Sequence, residues 1–519
     1  MMPLLLTLFL STLPLGFAKD SQKVTANPVD EIFNSLSKGL DERALVHWFR
    51  ALDGGSFSKT PSGKALAAYL LFQNGLEIEG IESLFLTPHP KSISKKLRAL
   101  WRSQAPASHP VWGRARLRWS SSWTAFFDRE TELAVRSYST ENLGEKEIRS
   151  LLAGSGSKAT FAKSRLRLAL ALRLATEEKG MTPALKILKA LMADSSGSID
   201  KNLVALSMGR IFYAKKRWAK AMESYDKVSK DSEYWFTARE ETAWTLMALG
   251  KTKEVVGVTN TLMHSDFSPH LSAETVFLHA YSQLNACDYL GVAESVDIFK
   301  RRFKKKVKAL GALGKEGKWK PGGRAEQLFQ ELKKEGKTGL LALGKTALLV
   351  PRYVSRDELL LREAQVQKSL DKGIARLNVL GTRYGNTKDA SGRSVRKAAA
   401  RLKKSLRARY ERSKKVGFRL LAKRSNEEIQ EIGETLFKMD ILETEMLQRA
   451  AIALARGGRE ATVEASGTQG PKKTPSGKKT GGTMDRYALN FPFTGEMWFD
   501  ELNHYRLDPQ KICQKRRAL

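Results

Sequence analysis

Apolar positions along this chain recur at helical spacing, and no alternating stretch is long enough to predict a strand. Two 34-residue blocks stand back to back, beginning at Asn202 and Phe236. In the first, Met208, Gly209, Phe212, Tyr213, Trp218, Ala221, Tyr225 and Val228 take the large and small apolar positions of a helix-turn-helix unit. In the second, Ala243, Leu246, Gly250, Val255 and Leu262 fall at the same offsets, and Gly250 marks the turn between the paired helices. Lys158 to Asp194 carries the same alternation at Leu170 to Ala175, Gly180, Ala184, Leu188 and Leu191, and His270 to Phe303 is a degraded copy. One helix pair cannot bury its apolar face alone, so such units stack. Residues 19–157 are also helical in pattern, with breaks at Asp53-Gly54-Gly55, Pro88 to Pro90 and Pro106 to Pro110.

The second half, residues 304–456, has a different pattern. A Gly- and Lys-rich stretch after Arg302 runs to Gly323, followed by a short amphipathic segment. Ser355-Arg356-Asp357-Glu358 predicts a helix start by a capping box, and Leu359, Val366, Leu370, Ile374 and Leu377 continue its apolar stripe. A second box, Ser425-Asn426-Glu427-Glu428, predicts the start of an acidic helix bearing Ile429, Ile432, Leu436 and Met439. Together they predict an antiparallel helical hairpin or short coiled coil, its basic arm partly balanced by the acidic one. Residues 457–483 lose all apolar periodicity and read as a flexible linker. Lys473 to Lys478 repeats the hexamer of Lys59 to Lys64, and both copies read as turns. Residues 484–519 then turn aromatic at Tyr487, Phe491, Phe493, Trp498, Phe499 and Tyr505. A cluster on a tether has no core of its own, so it is expected to dock on the solenoid or on a partner.

The block at Asn202 resembles a tetratricopeptide repeat (TPR), and with its neighbours the resemblance covers residues 158–303. It implies an all-α solenoid whose first helices line a groove that grips a peptide or helix. The positions it assigns to that groove are Arg210, Tyr213, Glu240, Trp244 and Met247. The run from Phe491 to Leu502 is similar to the C-terminal segments of exported TPR proteins of gliding and predatory deltaproteobacteria. That similarity implies a setting in a cell-envelope complex, with gliding motility as one such process.

Charge and targeting sharpen the setting. The net charge is +34, and residues 300–424 hold 37 lysines and arginines against 10 acids, so 37 − 10 = +27 lies there. Arg401, Lys403, Lys404, Arg407 and Arg409 are the expected centre of this basic surface. An anionic partner fits it, and nucleic acid is the usual one for such a field. Export argues otherwise. Pro3 to Leu15 is a short apolar run, and Gly16-Phe17-Ala18 before Lys19 completes the pattern of a secretory signal peptide, although no lysine or arginine precedes the run. No cysteine stands at the cut for lipid attachment, so the predicted product is periplasmic and not a lipoprotein. The anionic candidates there are lipid head groups, lipopolysaccharide, peptidoglycan and acidic proteins. A nucleic-acid binder remains the alternative only for a chain that is not exported.

Catalytic signals are weak. Gly339 to Thr346 fits the phosphate-loop pattern, but the segment before it is charged and helix-like where that loop needs a strand. Trp112, Trp119 and Trp123 share one helical face beside Arg114, Arg116 and Arg118, as an aromatic shelf or, more simply, as core. The seven histidines are scattered, and Cys287 and Cys513 are too few for a disulfide framework, so a single bridge between them would be incidental. The sequence therefore predicts a noncatalytic scaffold with no cofactor and no metal. Its alternative is a peptidoglycan- or anionic-lipid-binding envelope protein.

Overall fold

The computed structural model describes residues 27–455 except 105–120, 125, 128, 139, 141–142, 154–159, 195–198, 316–321, 335–349, 353 and 386–388. The predicted signal peptide, the linker and the aromatic segment with Phe491, Phe493, Trp498, Phe499 and Tyr505 lie outside these residues, as do Trp112, Trp119 and Gly339 to Thr346. Among the described residues the chain is all-α, without a strand. No helix there is long and apolar enough to cross a membrane.

Four helix pairs follow one another: Phe161–Leu174 with Met181–Ala193, Lys201–Ala214 with Trp218–Asp226, Trp235–Ala248 with Thr252–Met263, and Ala273–Asn285 with Tyr289–Lys315. Each helix packs on its successor, which makes the array a solenoid. Local chemistry sets the boundaries. The Thr160 hydroxyl, the Asp200 carboxylate and the Ser272 hydroxyl each accept an early backbone N–H of a first helix. The turns inside three pairs place one residue in the left-handed region, at φ 55° for Lys216, 70° for Gly250 and 61° for Cys287. Glycine alone takes that conformation without steric cost, so the sequence marks only the Gly250 turn plainly. Packing explains the large and small alternation. A Cβ at Gly209 would lie 2.3 Å from the buried Tyr225 ring, which occupies the space a side chain would need.

Helices before residue 125 form a separate layer, and Arg129–Ser137 joins it to the repeats by packing on Phe161–Leu174. There Trp101 donates its indole N–H to the Ala65 carbonyl at 3.1 Å, and Trp123 is buried among Phe85, Phe126 and Phe127. Trp123 is therefore core. Lys59 to Lys64 is more than a turn, since Thr60 accepts the Gly63 N–H at 3.0 Å and caps the helix Pro61–Gln73.

The C-terminal half departs from the sequence expectation in three ways. First, the last pair does not end near Phe303. Its second helix runs on through Lys315, because Phe303, Leu310 and Leu313 extend the buried stripe of Val296 and Phe299 and outweigh the glycines. Second, the capping box at Ser425 does not start a helix. Ala390–Ala455 is one helix of 66 residues, about 99 Å long. Leu421, Ile432, Met439 and Leu442 keep one face buried through the box, and the Ser425 hydroxyl donates to the Leu421 carbonyl one turn back. At the first box Asp357, not Ser355, accepts the free N–H groups of Leu359 and Leu360, and the helix spans Glu358–Gly385. Third, the basic and acidic segments are collinear, so they cannot balance each other side by side. The hairpin forms instead between Glu358–Gly385 and the long helix.

This hairpin is a strut. Val366, Leu370, Leu377, Val395 and Leu406 complete the buried cluster of the first layer, with Ile32, Leu45 and Leu66. Leu360, Phe418, Leu421, Ile432 and Met439 complete the cluster of the last pair, with Val276, Phe299 and Leu328. The repeats between them have a cluster of their own. The long helix thus ties the two ends of the solenoid across its middle.

Candidate protein-binding groove

Successive first helices present equivalent positions 34 residues apart: Glu240 and Glu274, Arg210 and Trp244, and the series Tyr213, Met247 and Tyr281. The predicted groove residues therefore fall on one face. The face is divided between a covered half and an open half.

Around Glu240 the chain's own Arg352, Ser355 and Arg356 lie across the groove. Arg352 reaches Glu240 Oε2 at 3.3 Å with one guanidinium nitrogen and Glu431 Oε1 at 3.4 Å with another. Its backbone N–H donates to Glu428 Oε2 at 2.8 Å, and Glu428 Oε1 meets Lys306 Nζ at 2.5 Å. The Ser272 hydroxyl donates to the second oxygen of Glu240 at 2.5 Å. Next to this latch, Arg356 donates to Thr237 Oγ1 at 2.9 Å and lies over the Tyr234 ring, while the Ser355 hydroxyl donates to Glu233. Charges enclosed this far resist ionisation. Burial pushes the Glu431, Glu274 and Glu233 carboxyls up and the Lys306 ammonium down. Burial, with repulsion from Lys306, holds His270 at about 4. Burial also holds His279 at about 4, with Thr259 Oγ1 2.8 Å from its Nδ1.

The other half of the face stays open. Tyr213, Trp244, Met247 and Phe277 are half-buried, and Tyr281 is 37% exposed. Trp244 and Phe277 have centroids 6.5 Å apart, Phe277 stacks on Tyr281 at 6.0 Å, and Tyr213 meets Trp218 edge-on at 4.9 Å. Lys438 of the long helix bounds this stripe, 5.8 Å over the Phe277 ring. Burial, then the Glu274 charge, raises the Tyr213 phenol. The Trp244 indole N–H is enclosed and has no acceptor. Arg210, exposed on the rim, is held by Glu241 at 2.6 Å.

Of the predicted groove residues, Tyr213, Trp244 and Met247 line the open stripe, Arg210 stands at its rim, and Glu240 is sealed under Arg352. Sequence reasoning missed Phe277 and Tyr281. Repeating the 34-residue step from Tyr213 and Met247 leads to Tyr281, so the signal was present. Nothing local to residue 352 announces that it crosses the groove.

The predicted basic surface is split as well. Arg401 pairs with Asp53 at 2.7 Å, and Arg409 pairs with Glu79 at 3.1 Å and also with Glu82. Lys403 donates to Asn378 Oδ1 at 2.7 Å, while Lys404 and Arg407 face solvent. Part of the basic charge thus holds the strut to the first layer. Among the described residues no group of His, Cys, Asp and Glu is arranged to hold a metal. One cleft, about 360 Å³, lies where Gln73, Asn74 and Glu77 face Ser369, Lys372 and Arg376, and in it the Ser369 hydroxyl donates to Glu77 Oε2 at 3.2 Å. Set against protein-family models, curated proteins and solved structures, the chain matches none of them.

Proposed function

We propose that this chain is a noncatalytic scaffold of the tetratricopeptide class, exported to the periplasm, which holds a protein partner of an envelope complex in the open half of its first-helix groove. The observation that carries this reading is the partly exposed stripe of Tyr213, Trp244, Met247, Phe277 and Tyr281. Large aromatics on rigid helices give contact area at little entropic cost. A peptide or helix laid across the stripe would cover these rings. The test is capture from crosslinked native cells. Wild-type protein recovers a defined set of partners, and the triple variant Tyr213→Ala/Trp244→Ala/Tyr281→Ala loses at least one of them. Identical recovery by both proteins, with unchanged helicity, sinks the reading.

A second reading concerns Lys404 and Arg407, which are exposed, whereas Arg401 and Arg409 are paired with Asp53 and Glu79. They suit an anionic envelope surface such as peptidoglycan or acidic lipid. Cosedimentation that falls on Lys404→Glu/Arg407→Glu and survives the triple groove variant favours it.

A further inference from the structure

A second unpartnered surface lies at the far end of the long helix. Phe437, Ile441 and Ile452 are 68%, 52% and 52% exposed, and their spacing of 4 and 11 residues puts them on one line of the helix. That line is opposite the buried face of Ile432, Met439, Leu442 and Met446. Leu447, 60% exposed, flanks it. Soluble helices rarely leave such a stripe without an occupant.

The same end carries Cys287, which is disulfide-bonded. Tyr289–Lys315 runs antiparallel to the long helix, as the ion pairs Lys300 to Glu443 at 2.7 Å and Lys306 to Glu428 at 2.5 Å require. Following that register back to Tyr289 brings the turn at Cys287 beside the last turns before Ala455. Leu290, three residues after Cys287, is 54% exposed. The sequence has one other cysteine, Cys513, and the aromatic run from Tyr487 to Tyr505 lies between Ala455 and Cys513.

We propose that Cys287 bonds Cys513 and that the aromatic segment of the same chain docks on the Phe437, Ile441 and Ile452 stripe, closing residues 456–512 into a loop. Both tethers reach. From Ala455 the linker has an r.m.s. span of about 30 Å. From Cys513 back to Trp498 the extended chain covers at most about 50 Å, and the stripe is only about 23 Å long. Bond formation removes two electrons and two protons from the two thiols. A protein disulfide of an oxidising compartment accepts them by exchange and becomes a dithiol. This surface is distinct from the groove and does not depend on a partner being held there, while the bond itself rests on the export proposed above.

The test uses the full chain in its oxidised form. Non-reducing peptide mapping of the monomer is expected to yield a Cys287 to Cys513 linked peptide. Hydrogen exchange is expected to show protected amides over residues 487–505. Phe437→Asp/Ile441→Asp, at exposed positions that leave the fold intact, is expected to cut that protection about tenfold, while Trp244→Ala/Tyr281→Ala leaves it unchanged. Four results overturn the proposal: no Cys287 to Cys513 linked peptide, no protection in the wild type, protection indifferent to Phe437→Asp/Ile441→Asp, or protection lost through the groove variant. A linked peptide joining light and heavy chains in a mixed isotope sample assigns the stripe to a second copy and overturns it too.

Discussion

Replacing Arg352 by methionine keeps most of the side-chain volume and removes the cation between Glu240 and Glu431. The two carboxylates are not equivalent. Glu240 has 10% of its side chain exposed, against 44% for Glu431. Glu431 loses little when its partner goes, about 0–1 kcal/mol, because water replaces the contact. Glu240 becomes a buried charge with only the Ser272 hydroxyl for support, and stranding one member of a buried pair costs about 3–5 kcal/mol. The expected destabilisation is therefore about 3 kcal/mol, the lower end, since that hydroxyl remains. Adding Glu240→Gln removes the stranded charge, so the double variant is expected to recover about 2 kcal/mol, a coupling typical of groups in one network. Urea unfolding followed by circular dichroism measures the cycle. Hydrogen exchange over residues 354–361 locates the effect, with opening favoured about 100-fold for a 3 kcal/mol loss. Glu240 does not depend on Arg352 for its charge balance if Arg352→Met costs under about 1 kcal/mol, or if the double variant is no more stable than the single one.

Protonation gives a second prediction. His279 is held at about 4, below its ordinary 6.5, so between those values the unfolded chain binds more protons. Stability is whole above pH 6.5 and drains as the pH falls toward 4, by about 3 kcal/mol for a shift of this size. The raised Glu274 and Glu431 carboxyls act in the opposite sense, so the measured quantity is the difference in urea midpoint between wild type and His279→Asn. That difference is expected to shrink from pH 7 to pH 5, and a constant one contradicts the assignment. Gly209→Ala drives a Cβ into the Tyr225 ring and is expected to cost about 1–3 kcal/mol by thermal or urea unfolding. Lys216→Gly runs the other way, relieving a left-handed backbone at φ 55° and stabilising by about 1 kcal/mol, a gain that unfolding of the full chain reports directly.

What the sequence made legible was whatever repeats locally. Met208, Gly209 and Tyr225 announce a helix pair because the contact between them lies inside one unit, and the 34-residue step carries it to Ala243 and Leu246. The long helix misled for the opposite reason. Ser425 to Glu428 has the chemistry of a helix start, yet a cap is needed only where the helix ends, and the stripe from Phe418 to Leu442 gives it no reason to end. The latch was invisible because Arg352 and Glu240 are 112 residues apart, and no periodicity relates them. The basic run was legible as charge but not as function. Arg401 and Arg409 are spent on Asp53, Glu79 and Glu82, partners that composition cannot assign.

The strut also sets a clock for folding. Arg376 meets Glu42 across 334 residues and Arg401 meets Asp53 across 348, so the first helices to be made wait for almost the last to complete their core. At a synthesis rate of about 5–20 residues per second that wait is about 20–70 s. Through it the apolar faces of Leu45, Leu66 and Leu70 lack the side chains of Leu370, Leu377 and Leu406 that later enclose them. The N-terminal layer thus has its complete core only after its far end is available.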